Sequence, residues 1–290
     1  MFTAKNYVKV KSLEEAFELN KVRNNAVMGG LMWLKQSKKN INTLIDLSGL
    51  NLDKITENES NIEIGAMASL RQLEKSEIIA GSFGDYFKEA LKGIVGVQFR
   101  NGATVGGSVF GRYGFSDVIT SLLALDASVV IYKGQEIQIP LADYVSQKKD
   151  NSILVRLILK KTSCISAYES MRIVATDFPV LTVSASLKSE GPNDSKTLSL
   201  AVGARPNVAS LLIIENFNTS ELYTSYTQDV NNNSLSNLNA LVEKYLIEDL
   251  NNLVYGNNLK AGSEYRRILA KALATKALFQ IAEKGADSWK

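Results

Sequence analysis

Arg100-Asn101-Gly102-Ala103-Thr104-Val105-Gly106-Gly107-Ser108 is the stretch from which the fold is read. Its density of glycine predicts a stretch that is not regular helix. Paired glycines also let backbone N–H groups reach a negatively charged oxygen without side-chain obstruction. The neighbourhood on either side is regular. Residues 116–125 are predicted helical, and 127–132 and 136–139 read as strands around a turn at Lys133-Gly134. Upstream, Ile62-Glu63-Ile64-Gly65-Ala66 alternates like a strand, with helices expected over 70–76 and 82–91.

A second glycine pair, Gly29-Gly30, ends a predicted strand, Asn25-Ala26-Val27-Met28. Before it comes a short alternating run at 7–10. Ser12-Leu13-Glu14-Glu15 then has the form of a capping box and opens a helix reaching about Lys21. After the pair, Leu31-Met32-Trp33-Leu34 reads as the start of a short helix. Thr43-Leu44-Ile45-Asp46-Leu47 is a further strand and completes a β-α-β unit. Taken singly, either glycine pair is equally a tight turn. Neither has the three-glycine spacing of a Rossmann loop, and no Walker lysine follows. Further along, strands are expected at 180–187 and 197–202. Residues 216–239, rich in Asn, Ser and Thr, read as loop and short helix. Apolar residues recurring every three or four positions predict a long helix over 263–283. No internal repeat is found.

Composition excludes more than it assigns. Of 290 residues, 45% are apolar and 22% charged, an ordinary globular mixture. The net charge of +3 is too small to make nucleic acid or an acidic membrane the expected partner. No apolar run is long enough for a membrane span. Met1-Phe2-Thr3-Ala4-Lys5 lacks the apolar core of a signal peptide, and the lone Cys164 forms no internal disulfide, so a cytoplasmic location is expected. A buried structural thiol is the reading of Cys164 itself. The chain contains no histidine. That removes the histidine-based triads and most zinc sites, and one cysteine cannot hold an iron–sulfur cluster. Chemistry must come from an organic cofactor, from carboxylates and lysines, or from a partner.

The order of these motifs resembles the flavin subunits of the xanthine dehydrogenase and carbon monoxide dehydrogenase family of molybdenum hydroxylases. The resemblance rests on Ser12-Leu13-Glu14-Glu15-Ala16, Met28-Gly29-Gly30, Leu44-Ile45-Asp46-Leu47 and Ile64-Gly65-Ala66. It continues through Arg100 to Ser108, Ser116-Asp117 and Leu122-Leu123-Ala124-Leu125-Asp126-Ala127. Ala201-Val202-Gly203-Ala204-Arg205-Pro206 and Ser263-Glu264-Tyr265-Arg266-Arg267 extend it to the C-terminal third.

The resemblance implies an α+β chain. An FAD-binding region of the vanillyl-alcohol-oxidase (PCMH) type would comprise a β-α-β subdomain over 1–58 and a second subdomain over 59–163. A smaller α+β domain over 164–290 would follow. It implies a first pyrophosphate loop of Ala26, Val27, Met28, Gly29, Gly30, Leu31 and Met32, and a second of Thr104, Gly106, Gly107 and Ser108. Phe110 would lie near the isoalloxazine and Asp117 would accept hydrogen bonds from sugar or ribityl hydroxyls. Ile153 and Leu154 would line the adenine or flavin pocket. Plain core packing is the competing reading of Phe110, Ile153 and Leu154. For Asp117 it is a charge at a helix start.

The chain departs from the family at Leu31 and Met32, where small or hydroxyl residues and then an acid or threonine are usual, so backbone contacts alone remain there. A motif with paired arginines is reduced to Arg172 before Asp177. Functionally, the resemblance implies FAD that takes electrons from a 2Fe–2S subunit and passes them to an acceptor such as NAD. A third, molybdopterin-binding subunit would complete a heterotrimer. No catalytic side chain and no metal site is assigned to this chain. A stand-alone FAD oxidoreductase and a cofactor-free assembly subunit are the alternative classes.

Overall fold

The computed structural model describes residues 1–190 and 195–288. The chain divides into two compact units. The first comprises Met1–Ile79, Ile94–Arg112 and Ala127–Lys161, and the second Ala80–Gly93, Tyr113–Asp126 and Thr162–Lys290.

β1 (Thr3–Lys9) leads into α1 (Leu13–Lys21). The Ser12 hydroxyl accepts the Glu15 N–H at 3.1 Å, while the Glu15 carboxylate accepts from Lys11 N–H at 2.8 Å. The expected capping box is therefore shifted by one residue on its return arm. β2 (Ala26–Met28) and β1 both pair in parallel with β3 (Asn40–Asp46), giving the order β1-β3-β2. This is the β-α-β unit expected from the pattern. The helix expected to begin at Leu31 amounts to one 3-10 turn, Leu34–Gln36.

β4 (Ile55–Glu57) and β5 (Asn61–Gly65) follow, then α2 (Leu70–Lys75), α3 (Glu77–Phe83) and α4 (Tyr86–Lys92). The single helix expected over 82–91 is cut at Gly84, whose φ of +57° ends α3. The glycine-dense stretch is also unlike the expectation. It is two short helices, α5 (Val97–Gly102) and α6 (Val105–Gly111). The reason is backbone packing. A Cβ at Gly106 would lie 2.6 Å from the Ala66 Cβ and carbonyl oxygen, and Val105 and Gly106 N–H donate to the Ala68 and Ala66 carbonyls at 2.8 Å. These contacts offset the roughly 1 kcal/mol that a glycine costs inside a helix.

After α7 (Asp117–Ala124) come β6 (Ser128–Tyr132), β7 (Glu136–Pro140), α8 (Leu141–Ser146) and β8 (Ile153–Lys160). β4-β5-β8-β6-β7 form an antiparallel five-stranded sheet in the first unit. A core of that unit joins Val10, Ala16, Phe17, Ile45 and Leu47 with Ile153 of β8.

In the second unit β9 (Cys164–Met171), β10 (Leu181–Glu190), β11 (Ser195–Gly203) and β12 (Ser210–Ile214) form an antiparallel sheet of order β12-β11-β10-β9. β10 shows why. Leu181, Val183, Ala185 and Leu187 belong to one apolar core. The alternate positions carry hydroxyls that are equally buried but partnered. Thr182 meets Thr120 at 3.2 Å, Ser184 meets the Tyr86 hydroxyl, and Ser186 donates to the Ala124 carbonyl at 2.5 Å. Period two sorts apolar from polar even where both faces are covered.

α9 (Thr219–Asn232), α10 (Ser236–Tyr245), α11 (Ile247–Asn252) and α12 (Ser263–Ser288) complete the unit, with α12 against β9 and β10. The loop and short helix expected over 216–239 are thus mostly helix. Its asparagines act as caps, Asn218 accepting from Glu221 N–H and Asn233 closing α9 in the left-handed conformation. Among the described residues no helix is long and apolar enough to cross a membrane.

Candidate functional site

The first unit brings the two glycine pairs together. Asn25 sets the entry: its side-chain oxygen accepts from Thr43 N–H at 3.0 Å and its amide donates to the Leu19 carbonyl at 2.7 Å. β2 then runs out at Met28, opposite Asp46, and the chain turns through Gly29, Gly30 and Leu31. Leu31 holds φ +61°, a conformation that costs a non-glycine residue about 1–2 kcal/mol. Among the described residues, the N–H groups of Gly29, Gly30, Leu31 and Met32 donate to no protein acceptor. Consecutive unspent amides on one turn form a concavity suited to phosphate oxygens.

Within each pair the glycines do different jobs. A Cβ at Gly30 would lie 1.5 Å from the Gly102 carbonyl oxygen, so this position is glycine because two backbones touch. Gly106 is likewise turned into the protein against Ala66. Gly29 and Gly107 face the other way. A Cβ on either would meet the Thr104 hydroxyl, at 3.1 and 2.9 Å, and one on Gly29 would lie 3.9 Å from the Gly107 Cα. The open lip of the cradle is therefore Gly29 and Gly107 with Thr104 between them. Thr104 caps α6, its hydroxyl accepting Gly107 N–H at 3.1 Å, and Ser108 donates to the Thr104 carbonyl at 2.9 Å. The N–H groups of Val105, Gly106, Gly107 and Ser108 are engaged inside the protein, leaving those of the first loop to meet a ligand.

α5 is held in place by Arg100, which is 5% exposed. Its guanidinium donates to Glu74 at 2.9 and 3.2 Å and to the Ile94 carbonyl at 3.1 Å. Burial pushes the Glu74 carboxyl up, but Arg100 and Arg71 outweigh it and hold the group below its usual range. Met32 lies against Gly102 and Trp33 stands edge-on to Phe99 at 6.4 Å, so Met32, one of the two departures, has a packing role.

The remaining expected site residues are spread more widely. Ala26, Val27 and Met28 form β2, partly buried, and Phe110 is half-buried on α6. Ile153 and Leu154 are 1% and 5% exposed on β8, with Ile153 in the core beside Ile45 and Leu47. Asp117 lies in the second unit, at the first turn of α7 behind the cap Ser116. Its Oδ1 accepts from the Tyr168 hydroxyl and from Arg172 at 2.5 Å. Burial pushes the Asp117 carboxyl up from its ordinary value against the pull of Arg172 and Tyr168. Tyr168 and Gly102 are the residues sequence reasoning missed. A third glycine four places before Gly106 was the available signal for one, and nothing in the local pattern marks the other.

The donor set fits a dinucleotide's pyrophosphate: unspent amides on a strand-ending turn, and a lip that any Cβ would narrow. Comparisons with known proteins identify the family and the fold. Residues 2–162 match the family described as the FAD binding domain in molybdopterin dehydrogenase. The uncharacterized protein YgfM of Escherichia coli K12 is 29% identical over 153 residues, 51% of this chain and 56% of that protein. The chain thus spans about half the length of the curated relatives it matches. Among solved structures, quinoline 2-oxidoreductase from Pseudomonas putida 86 superposes with a TM-score of 0.75 at 16% identity, covering 98% of this chain and 99% of that one. Reconstituted carbon monoxide dehydrogenase from Oligotropha carboxidovorans gives 0.76 at 16%, covering 97% and 98%. The Hydrogenophaga pseudoflava enzyme gives 0.74 at 17%, covering 94% and 95%. At such identities these three establish a shared α+β fold. From the match over its N-terminal half and more, the chain belongs to the family of FAD-binding domains of molybdopterin dehydrogenases.

Proposed function

We propose that this chain is the FAD-carrying electron-transfer subunit of a molybdenum hydroxylase complex. Electrons arrive from the 2Fe–2S clusters of one partner subunit, after substrate oxidation in a molybdopterin-binding subunit, and leave to an acceptor such as NAD. The observation that carries the reading is the run of unspent amides at Gly29–Met32 beside Gly107.

Bound flavin would supply the exchange between single-electron and two-electron chemistry, and the protein positions it. Gly29, Gly30, Leu31 and Met32 would hold the pyrophosphate through their N–H groups, and Thr104 would keep the lip open by binding Gly107 instead of the ligand. Asp117 would accept a ribityl or sugar hydroxyl on Oδ2, its Oδ1 being engaged by Arg172 and Tyr168. Phe110, Ile153 and Leu154 would contribute apolar surface. Residues 1–58 and 59–163 would act as the two halves of the flavin region, and 164–290 as the smaller domain. With one cysteine and no histidine the chain has no ligand set for an iron–sulfur cluster, so the reading requires the partners. A heterotrimer in the cytoplasm accommodates them.

The test is an absorbance spectrum of the purified chain, with the released cofactor weighed by mass spectrometry. Near-stoichiometric flavin bands and the mass of FAD are expected. A chain that stays colourless in excess FAD, alone and in complex with its partners, would overturn the reading.

A further inference from the structure

Two buried arginines of the second unit pin the loop between α11 and α12 from inside. Arg266, on α12, is fully buried. Its guanidinium donates to the carbonyls of Val180, Gly256 and Ala261 at 3.0, 2.7 and 2.5 Å and to Asn258 Oδ1 at 2.6 Å. Arg205, 3% exposed, donates to the carbonyls of Val202, Val254 and Val208 at 3.2, 2.6 and 2.8 Å and to the Ser210 hydroxyl at 2.5 Å. Among the described residues neither has a carboxylate partner, and burial holds both guanidinium groups below their usual range. A buried cation without a counter-charge is costly. Here two of them fix one surface loop.

That loop and the start of α12 carry exposed apolar side chains on the rigid support. Val254, Leu259 and Ile268 are each more than half exposed, and Tyr265 nearly so. Ile173 and Val174, on the turn between β9 and β10, are more than half exposed as well. Both stretches lie at one end of the unit, because Lys260 pairs with Asp177 of that turn and Arg266 holds the Val180 carbonyl just before β10. Apolar groups gathered in this way mark an interaction surface. The charge around them states its kind. Against Arg172, Arg205, Lys260, Arg266 and the exposed Arg267 stand the carboxylates of Asp117, Asp177 and Glu264 on the same segments and their contacts. The excess is positive. A second copy docked face to face would bring the same sign of charge, whereas a surface bearing carboxylates complements it.

We propose that this end of the second unit docks a partner subunit whose contacting surface is apolar at its centre and ringed by carboxylates. The inference rests on the reading that the chain works beside partner subunits, and it assigns the face they use.

The test takes the tagged full chain, purified with the subunits that accompany it and with each of these identified by mass. Hydrogen exchange is then compared between the complex and the chain alone. Slower exchange in the complex is expected at residues 172–178 and 253–262. Arg267→Glu and Ile268→Gln, both at exposed positions outside the flavin cradle, should lower recovery of the same subunits about tenfold each, and wild-type recovery should fall with salt. Flavin content and urea midpoints of the two variants should stay near wild type, which separates lost docking from misfolding. Unchanged recovery in both variants overturns the proposal, as does exchange slowed only elsewhere. A homodimer protected at this face, or a chain that purifies without partners, overturns it too. The flavin bands report on the cofactor separately. A yellow chain whose partners protect another face keeps the electron-transfer reading and loses this one.

Discussion

Replacing Gly30 by alanine separates the two jobs that glycine does in the cradle. The new Cβ would sit 1.5 Å from the Gly102 carbonyl oxygen and 2.6 Å from its carbonyl carbon, where ordinary contact begins at 3.4 Å. The obstacle is backbone, which cannot rotate aside, so β2 and α5 must part by nearly the whole difference. Overpacking costs about 1–3 kcal/mol when side chains can adjust, so about 3 kcal/mol is expected here. Loss of unfolded-state freedom returns at most about 1 kcal/mol, leaving roughly 2 or more. That is a large share of a typical stability of about 5–15 kcal/mol. Gly29→Ala is the matched control. Its Cβ meets only the Thr104 hydroxyl at 3.1 Å and the Gly107 Cα at 3.9 Å, so the fold should tolerate it. It narrows the lip, however, and FAD affinity should fall about tenfold, or 1.4 kcal/mol. Urea unfolding of the flavin-free chains and FAD titration of each measure the two effects. If Gly30→Ala unfolds at the wild-type midpoint, or Gly29→Ala binds FAD as wild type does, the division of roles is wrong.

Glu74→Gln removes the anion that Arg100 and Arg71 share, and breaking a buried pair from one side costs about 3 kcal/mol at pH 7. Because the folded carboxyl titrates below its ordinary 4.5, this stabilisation is present above that value and lost as pH falls through the lower folded one. Urea midpoints at a series of pH values should show wild type and variant converging in acid, and a constant gap would count against the pairing. Burial pushes the Cys164 thiol from 9.0 up to about 11, which leaves about a hundredth of the usual thiolate. Cys164 is partly exposed, and iodoacetamide at pH 8 should still label the native chain about a hundredfold more slowly than the urea-unfolded one; equal rates would refute the raised pKa.

Much of the molecule was legible in local pattern. The capped α1, the alternation of β5 and β10, the turn at Gly134 and the long α12 each follow from periodicity and caps within a few neighbouring residues. Two errors share a cause. Residues 100–108 do not read as regular helix and 216–239 read as loop and short helix because glycine and asparagine are weak helix formers, yet α5, α6, α9 and α10 cover most of both segments. In the first, contact with Ala66 and Ala68 overrides propensity, and in the second asparagine serves as cap.

The sequence by itself determined the ingredients. Absent histidine and a lone cysteine excluded most metal and nucleophile chemistry, and the ordered motifs singled out the loops that a flavin nucleotide would need. It could not say which glycine of each pair faces the ligand, because Gly29 and Gly30 are alike until Gly102 is brought against one of them. Nor could it place Arg100 on Glu74, Tyr168 on Asp117, or Arg112 over Tyr144, pairs 26, 51 and 32 positions apart. Local propensity reaches about one helical turn along the chain. Contacts at these separations exist only once the sheets close, so the donors left over for a ligand are decided by tertiary packing.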